Sequence, residues 1–456
     1  MPRWQPVCSP NGVVSLRNPL HQFLIHVRMA SYVIGALALL ATTSTAQEAP
    51  PQRPFRRIFG SGPVRSPNQS LEANISLSGA YDDNVLANEL PVEDARYQES
   101  GMFSSLSAAL TYARQFQKGT FAFDTGTALQ YYPQQPSPLA RDHHAGASLG
   151  LNLTRRTRFN VGQSASYATY YTLMGLPGVI TTEPGLAPVP GEELLGPSSQ
   201  YGVAARGGFQ YQTSAILTRD IGRRGSLSGR YGRSQTAFED GLRDSTVQEA
   251  EATYRMGLGR ESGLRLGYSY EFGGGAGPGE QITVHDIDIG VDYRRYLSRR
   301  RTTSISFSTG STVVTNDRGN EFRVLANARL VHLMGRSWTS SLAYDRGVRF
   351  MPALSDLFSS DTVSFTVAGH ASPALQITSS ASYSAGVVGT QEGTDLTTWS
   401  ASSRFQYALS RHFALDGHYL FYRYDFSTPS IRPDLPPGVT RHSVRAGITV
   451  WLPIIR

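Results

Sequence analysis

The chain has 456 residues and a formal net charge of +7. Its mean hydropathy is −0.27. With 40% hydrophobic residues, a bundle of apolar transmembrane helices is excluded, because each such helix needs about 20 apolar residues in a row. One cysteine, Cys8, excludes an intrachain disulfide and a multi-thiolate metal site. Lys118 is the single lysine, so the positive charge is almost all arginine. Those arginines are scattered over turns and strands rather than gathered in one patch, which argues against a nucleic-acid partner.

Taken in chain order, the first 46 residues read as an extended N-terminus with a secretory signal peptide. Residues 32–41 are apolar but too short to span a bilayer as a helix. His26 and Arg28 precede them and Ser44-Thr45-Ala46 follow as a small-x-small cleavage site, with Met29 as the expected start. Residues 47–68 hold Pro50, Pro51, Pro54, Arg53, Arg56 and Arg57 and no periodicity, as in a periplasmic linker.

From residue 69 to 456 the period is two. Leu71, Ala73, Ile75, Leu77, Gly79 and Tyr81 alternate with Glu72, Asn74, Ser76 and Ser78. Ile287, Ile289, Val291 and Tyr293 alternate with Asp286, Asp288 and Asp292. Trp399, Ala401, Phe405, Tyr407 and Leu409 alternate with Ser400, Ser402, Arg404 and Gln406. About 18 such runs start near residues 71, 101, 120, 142, 158, 201, 225, 245, 263, 282, 302, 321, 338, 361, 375, 396, 413 and 440. Each spans about 10–15 residues, the reach of a tilted membrane strand and more than a globular strand needs.

The connections between runs alternate short and long, the longest being 172–200. Short periplasmic turns alternating with long outer loops are the hairpin signature of outer-membrane barrels. The expected fold is an all-β, antiparallel, up-and-down transmembrane β-barrel of 16–18 strands. At that size a barrel leaves an aqueous channel. The expected location is the outer membrane of a Gram-negative-type envelope. The expected partners are outer-membrane lipid, the barrel-assembly and periplasmic chaperone machinery, and polysaccharide or small polar solutes.

If the apolar register faces lipid, the other register faces the bore. Its candidate lumen-lining residues are Glu249, Glu251, Arg265, Glu271, Asp286, Asp288, Asp292, Arg323, Arg329, Asp345, Arg349 and Arg404. Glu72, Asp124, Arg230, Arg294, Asp416 and Arg445 share that register. An arginine at mid-membrane on the lipid face costs about 2–4 kcal/mol, so these charges point to a wet interior. Their mixed signs predict neither strong anion nor strong cation selectivity. The competing reading of any one of them is a wall-stabilising ion pair with no part in transport. Tyr131, Tyr167, Tyr170, Tyr171, Tyr268, Tyr270 and Tyr419 fall near strand ends and read as interface girdles. Tyr132, Tyr422 and Tyr424 fall in the inward register and are candidates for stacking on sugars.

Catalytic motifs find no support. Gly146-Ala147-Ser148-Leu149-Gly150 matches G-x-S-x-G but lies in an alternating strand, without the helix that a nucleophile elbow requires. His143 and His144 are adjacent on a strand and must point to opposite faces. The glycine-rich 273–279 opens no helix. No enzyme, cofactor or metal site is expected.

Gly79-Ala80-Tyr81-Asp82-Asp83-Asn84 resembles the opening of the β-barrel porin 2 family. His442-Ser443-Val444-Arg445-Ala446-Gly447-Ile448-Thr449-Val450-Trp451-Leu452-Pro453 resembles that family's last strand. The resemblance spans most of residues 70–456 and implies an outer-membrane barrel associated with export of extracellular polysaccharide, with no catalytic residues. The last residues are Ile454-Ile455-Arg456 rather than the terminal aromatic that many barrels present for assembly, which leaves the assembly signal open. Three functions stay in play: a channel, which the wet interior favours; a structural or adhesive barrel that binds through its long loops; and a surface hydrolase built on the barrel rim.

Overall fold

The computed structural model describes residues 68–83, 101–133, 139–168, 171–172, 202–204, 207–238, 245–274, 281–297, 302–316, 319–335, 337–351, 356–388, 395–427 and 438–455. The expected signal peptide and nearly all of the expected linker, residues 1–67, lie outside them, as do 173–200.

Among the described residues, period-two patterning becomes twenty strands. They are β1 (Gln69–Asp82), β2 (Gly101–Phe116), β3 (Gly119–Tyr131), β4 (Leu139–Thr154), β5 (Thr157–Ala168), β6 (Tyr171–Thr172), β7 (Gly202–Ala204), β8 (Gly208–Ile221), β9 (Gly225–Phe238) and β10 (Ser245–Gly257). The rest are β11 (Ser262–Gly274), β12 (Gln281–Tyr296), β13 (Thr303–Asn316), β14 (Gly319–Met334), β15 (Trp338–Met351), β16 (Asp356–Ser372), β17 (Leu375–Val388), β18 (Asp395–Ala408), β19 (Phe413–Phe426) and β20 (Gly438–Ile455). Two run differently from the expectation. The run expected from 201 begins at Gly208, because Gly202–Ala204 pair with Tyr171–Thr172 to form a separate two-stranded ladder. The run expected from 361 begins at Asp356, because Leu357 and Phe358 extend the strand.

All but β6 and β7 join one 18-stranded sheet. Each strand pairs antiparallel with the next, β5 pairing with β8, and the last pairs with the first. The sheet is therefore a closed barrel with no free edge. Its strands run from 12 to 18 residues. Turns such as 155–156 and 373–374 close one end tightly. Gly222 and Gly335 supply positive φ in two more turns at that end, at 69° and 64°, a conformation that costs glycine little.

The outer face is apolar. Ile289 and Phe322 are each 65% exposed, and Leu77 and Val324 are exposed in the same register. In water such a surface would drive association, whereas in a bilayer it is the solvated face. The ladders inside the wall satisfy the backbone groups that hydrocarbon cannot. This is a transmembrane barrel of the outer-membrane type. Paired outward rings form parts of a girdle: Tyr167 lies 4.8 Å from Phe209, Tyr383 4.3 Å from Trp399 and Tyr293 5.3 Å from Phe307. Tyr131, Tyr268, Tyr270 and Tyr419 are exposed, as girdle residues are, whereas Tyr170 and the side chain of Tyr171 lie outside the described residues.

Closure is locked by side chains between the first and last strands. Arg441 Nη2 on β20 lies 2.5 Å from Asp82 Oδ2 on β1, and Arg441 Nε donates to the same oxygen at 2.6 Å. Both side chains are buried. Further along the seam, Ser76 and Thr449 hydroxyls meet at 3.0 Å, and Trp451 Nε1 donates to Glu72 Oε2 at 3.2 Å. The backbone amide of His442 donates to Asp83 Oδ1 at 2.6 Å.

Two outcomes test this architecture. Arg441→Met strands the Asp82 carboxylate in a dry wall and should cost about 3–5 kcal/mol. Heat-modifiability on gels should then show the barrel opening at a clearly lower temperature, and Arg441→Met with Asp82→Asn should recover part of the loss. Ile289→Arg on the outer face should cost about 2–4 kcal/mol in denaturant titration of the liposome-reconstituted protein. Ser380→Arg on the inner face should stay within about 1 kcal/mol of wild type.

Candidate functional site

The inner register carries the polar chemistry. Along β12, Asp286, Asp288 and Asp292 alternate with exposed Ile287, Ile289 and Val291 and so occupy the opposite face. Cross-strand pairing extends that face. Glu249 on β10 is opposite Glu271 on β11, and Glu251 is opposite Ser269. Ser269 in turn is opposite Asp286 on β12, and Arg265 is opposite Gly290.

Arg265 organises this part of the wall. Its Nη1 donates to Asp292 at 2.7 Å, its Nη2 to Asp288 Oδ1 at 3.1 Å, and its Nε to Asp288 Oδ2. A break in the ladder explains why it reaches so far. Between Ile287 and Tyr293 the β12–β13 register shifts, so that six steps along β12 match four along β13. Two extra residues keep the inside–outside alternation but interrupt the ladder beside Thr309. Arg265 Nη2 donates to that Thr309 carbonyl at 3.3 Å. Gly290 and Gly310 leave the space: a Cβ on Gly310 would collide with Asp288 Oδ1, and one on Gly290 with the Thr309 carbonyl and Arg265 Nη2. These glycines and the bulge are parts of the site that residue-by-residue alternation misses.

The remaining expected residues separate into groups. Arg323 is held by Glu321, two residues along the same strand, through Nη2 at 2.8 Å and Nε at 3.0 Å. Asn327 Nδ2 donates to Asp345 at 3.1 Å. Arg329 is on the same face of β14, and its Nε is buried without a hydrogen-bond partner. Glu251 accepts from Thr253 Oγ1 at 2.6 Å, and Asp286 from Ser269 Oγ at 3.0 Å. The side chains of Arg349 and Arg294 lie outside the described residues.

A second charged group lies on β18–β20. Arg404 is opposite His418 and His418 opposite Arg445, so the three share one row. Arg445 Nη2 lies 3.4 Å from His418 Nδ1. Asp416, one inward position along, accepts from Gln406 Nε2 at 2.9 Å and from Thr449 Oγ1, with Arg404 Nη2 farther off at 3.7 Å. Between the two groups runs a hydroxyl wall on β16–β18. Ser380 meets Ser402 and Ser382 meets Ser400, each at 2.7 Å, and Thr362 donates to Ser384 at 3.0 Å.

Sugar stacking on the inward tyrosines does not fit their packing. Tyr132, Tyr422 and Tyr424 are all buried, so none presents an open ring face. Tyr132 stacks on Phe103 with centroids 4.8 Å apart and donates to Gln130 Oε1 at 2.5 Å. The reason is their position beside the Asp82–Arg441 seam pair, where rings fill the wall. His143 and His144 point to opposite faces: His143 meets Thr127 Oγ1 at 2.8 Å outside, and His144 meets Asp124 at 3.2 Å inside. Ser148 lies within β4, on strand backbone throughout. Among the described residues no group of three or more His, Cys, Asp or Glu side chains could hold a metal ion.

No family model matches the chain, and no curated protein matches it. Solved structures with a similar backbone include OpdL of Pseudomonas aeruginosa, at a TM-score of 0.44 and 13% identity over 85% of this chain and 99% of that one. OccK7 (OpdD) of the same organism gives 0.45 and 11%, over 85% and 99%. OccAB4 of Acinetobacter baumannii gives 0.41 and 12%, over 85% and 99%. At such values the likeness carries no weight, and fold and function rest on the chain's own wall.

The Arg265 clamp predicts a specific non-additivity. Arg265→Met leaves Asp288 and Asp292 facing each other and the Thr309 carbonyl without its donor. A loss of about 2 kcal/mol follows, reduced from the fully buried case because the carboxylates are partly wet. Adding Asp288→Asn should recover at least about 0.5 kcal/mol, whereas strict additivity in denaturant midpoints would show the clamp to be no unit.

Proposed function

We propose that this barrel is an outer-membrane channel, porin-like, that passes small polar solutes. The observation that carries the reading is an inner wall of charges and hydroxyls that runs round most of an 18-stranded ring. Rings of 16–18 strands are wide enough to leave an aqueous channel rather than a core filled by side chains. A barrel serving only as a scaffold for its loops has no use for partly exposed carboxylates and guanidinium groups along mid-strand, where apolar packing would stabilise it more. Among the described residues the inner wall assembles no nucleophile, base and oxyanion site. Passage of polysaccharide rests on the resemblance to the β-barrel porin 2 family alone. The buried inward tyrosines lend it no support.

The test is electrical. Purified protein, shown to be folded by heat-modifiability, should give steady single-channel conductance in planar bilayers. It should also let small sugars swell proteoliposomes. A folded barrel with neither property would favour the adhesive or structural reading.

A further inference from the structure

Resting on the channel reading, we infer that the tip of the β15–β16 hairpin is a hinged shutter, seated inside the mouth on three valines, that opens the bore by zipping back onto β14.

The ladders supply the first step. Strands β13 and β14 stay paired to Asn316 and Gly319, and β15 and β16 to Met351 and Asp356. The β14–β15 ladder between them stops at Ala326 and Arg346. Residues 319–325 and 347–351 therefore do not pair with each other where the ring would continue. The gap lies at the end opposite the tight turns, at girdle height. Phe322 is opposite Val313 and Val313 opposite His285, whose ring lies 5.3 Å from Tyr270. At that height interfacial water can satisfy an unpaired edge, which hydrocarbon could not.

Packing supplies the second. Val247 shares the inward face of β10 with Glu249, and Val284 and Val314 share theirs with Asp286 and Thr312. Valines gathered on a wet wall call for an apolar cover. Leu357 supplies it, buried in one cluster with Val284 and Val314, with Val247 and Val348 packed against them. Alternation puts Leu357 on the face of exposed Val363 and Phe365, and Val348 on the face of exposed Leu342. Farther down the same strands that face meets lipid. It can touch the inward face of β13, three strands away, only if the hairpin tip has folded inside the ring.

A hinge supplies the third. On its other side β16 stays paired with β17 as far as Phe358 and Val388, so the tip hangs on β17 and its free edge is β15. Gly347, Ser360 and Gly386 form one cross-strand row, the first beyond the last β14–β15 rung. A Cβ on Gly386 would collide with the Ser359 carbonyl and with Ser360. Glycines within a strand mark sharp bends and close backbone approach. Just below that row Tyr344 Oη donates to Asp361 Oδ1 at 2.6 Å, which ties β15 to β16 so that they swing together. The tip thus has two seats. Val348 lies against the valine cluster in one, and in the other the continued register sets it opposite Val324.

The test uses the full-length barrel in planar bilayers, with Cys8→Ser to remove the one native cysteine. Val284→Cys with Leu357→Cys should cross-link under mild oxidation and hold the channel at a small, steady conductance. Reduction should restore a larger level. Val324→Cys with Val348→Cys should also cross-link, because facing Cβ atoms on paired strands come within disulfide reach, and should hold the larger level. Leu357→Asp, without any cross-link, should lengthen the time spent at the larger level, and Ser380→Ala should change nothing. Conductance unchanged by the link between positions 284 and 357 would overturn the shutter while leaving the channel reading intact. Failure of either pair to link in a folded barrel would overturn the shutter too. A folded barrel that conducts in none of these forms, the open-locked one included, would overturn the channel reading and this inference with it.

Discussion

The structure depends on one ladder, the pairing of β1 with β20. Every other neighbouring pair in the ring is brought together by the local chain, whereas these strands lie at opposite ends of the sheet-forming sequence. In hydrocarbon an unpaired strand edge has no hydrogen-bond partner, so a sheet with an open seam cannot span. Parity alone does not set that seam, because a slip of two residues preserves which side chains face lipid. The seam's side chains do. Arg441 and Asp82 meet as a buried pair near one end, and Trp451 meets Glu72 toward the other. A buried ion pair adds little net stability, because desolvation offsets its attraction. Its consequence here is discrimination: a slipped seam would leave both charges without partners inside a dry wall.

Closure converts position along the chain into angle around a bore. Strands nine places apart in the ring face each other whatever their distance in sequence. The strands nine places from β10, β11 and β12 are β19, β20 and β1. Their side chains never touch, yet they act on the same volume of water. The mixed signs along the chain persist round the ring as local pairs: Arg265 meets Asp288 and Asp292, Arg323 meets Glu321, and Arg441 meets Asp82.

Much of the fold was legible as rhythm. Alternation of Ile287, Ile289 and Val291 with aspartates is the pleat of β12 written in one dimension, and the alternation of short and long connections is the hairpin order. Such signals survive because each depends on neighbours in sequence. The glycine-rich stretch before Gly208 could not be placed the same way, since its partner Tyr171–Thr172 lies across a long connection. The inward tyrosines were placed on the correct face, but only packing reveals that Phe103 and Gln130 cover Tyr132. The Arg265 clamp depends on a register shift and on glycines in two strands, Gly290 and Gly310, none of which has a one-dimensional signature.

The clamp also separates two kinds of charge that alternation treats alike. Arg265, Arg323 and Arg441 each end on carboxylates close by, and each sits where removing it would expose a wall defect. Glu249 and Glu271 are different, because the register sets carboxylate against carboxylate on adjacent strands. Directly opposed like charges destabilise a sheet, and a threonine at either position would satisfy the pleat without that cost. A wall selected for stability alone would have no reason to place them so.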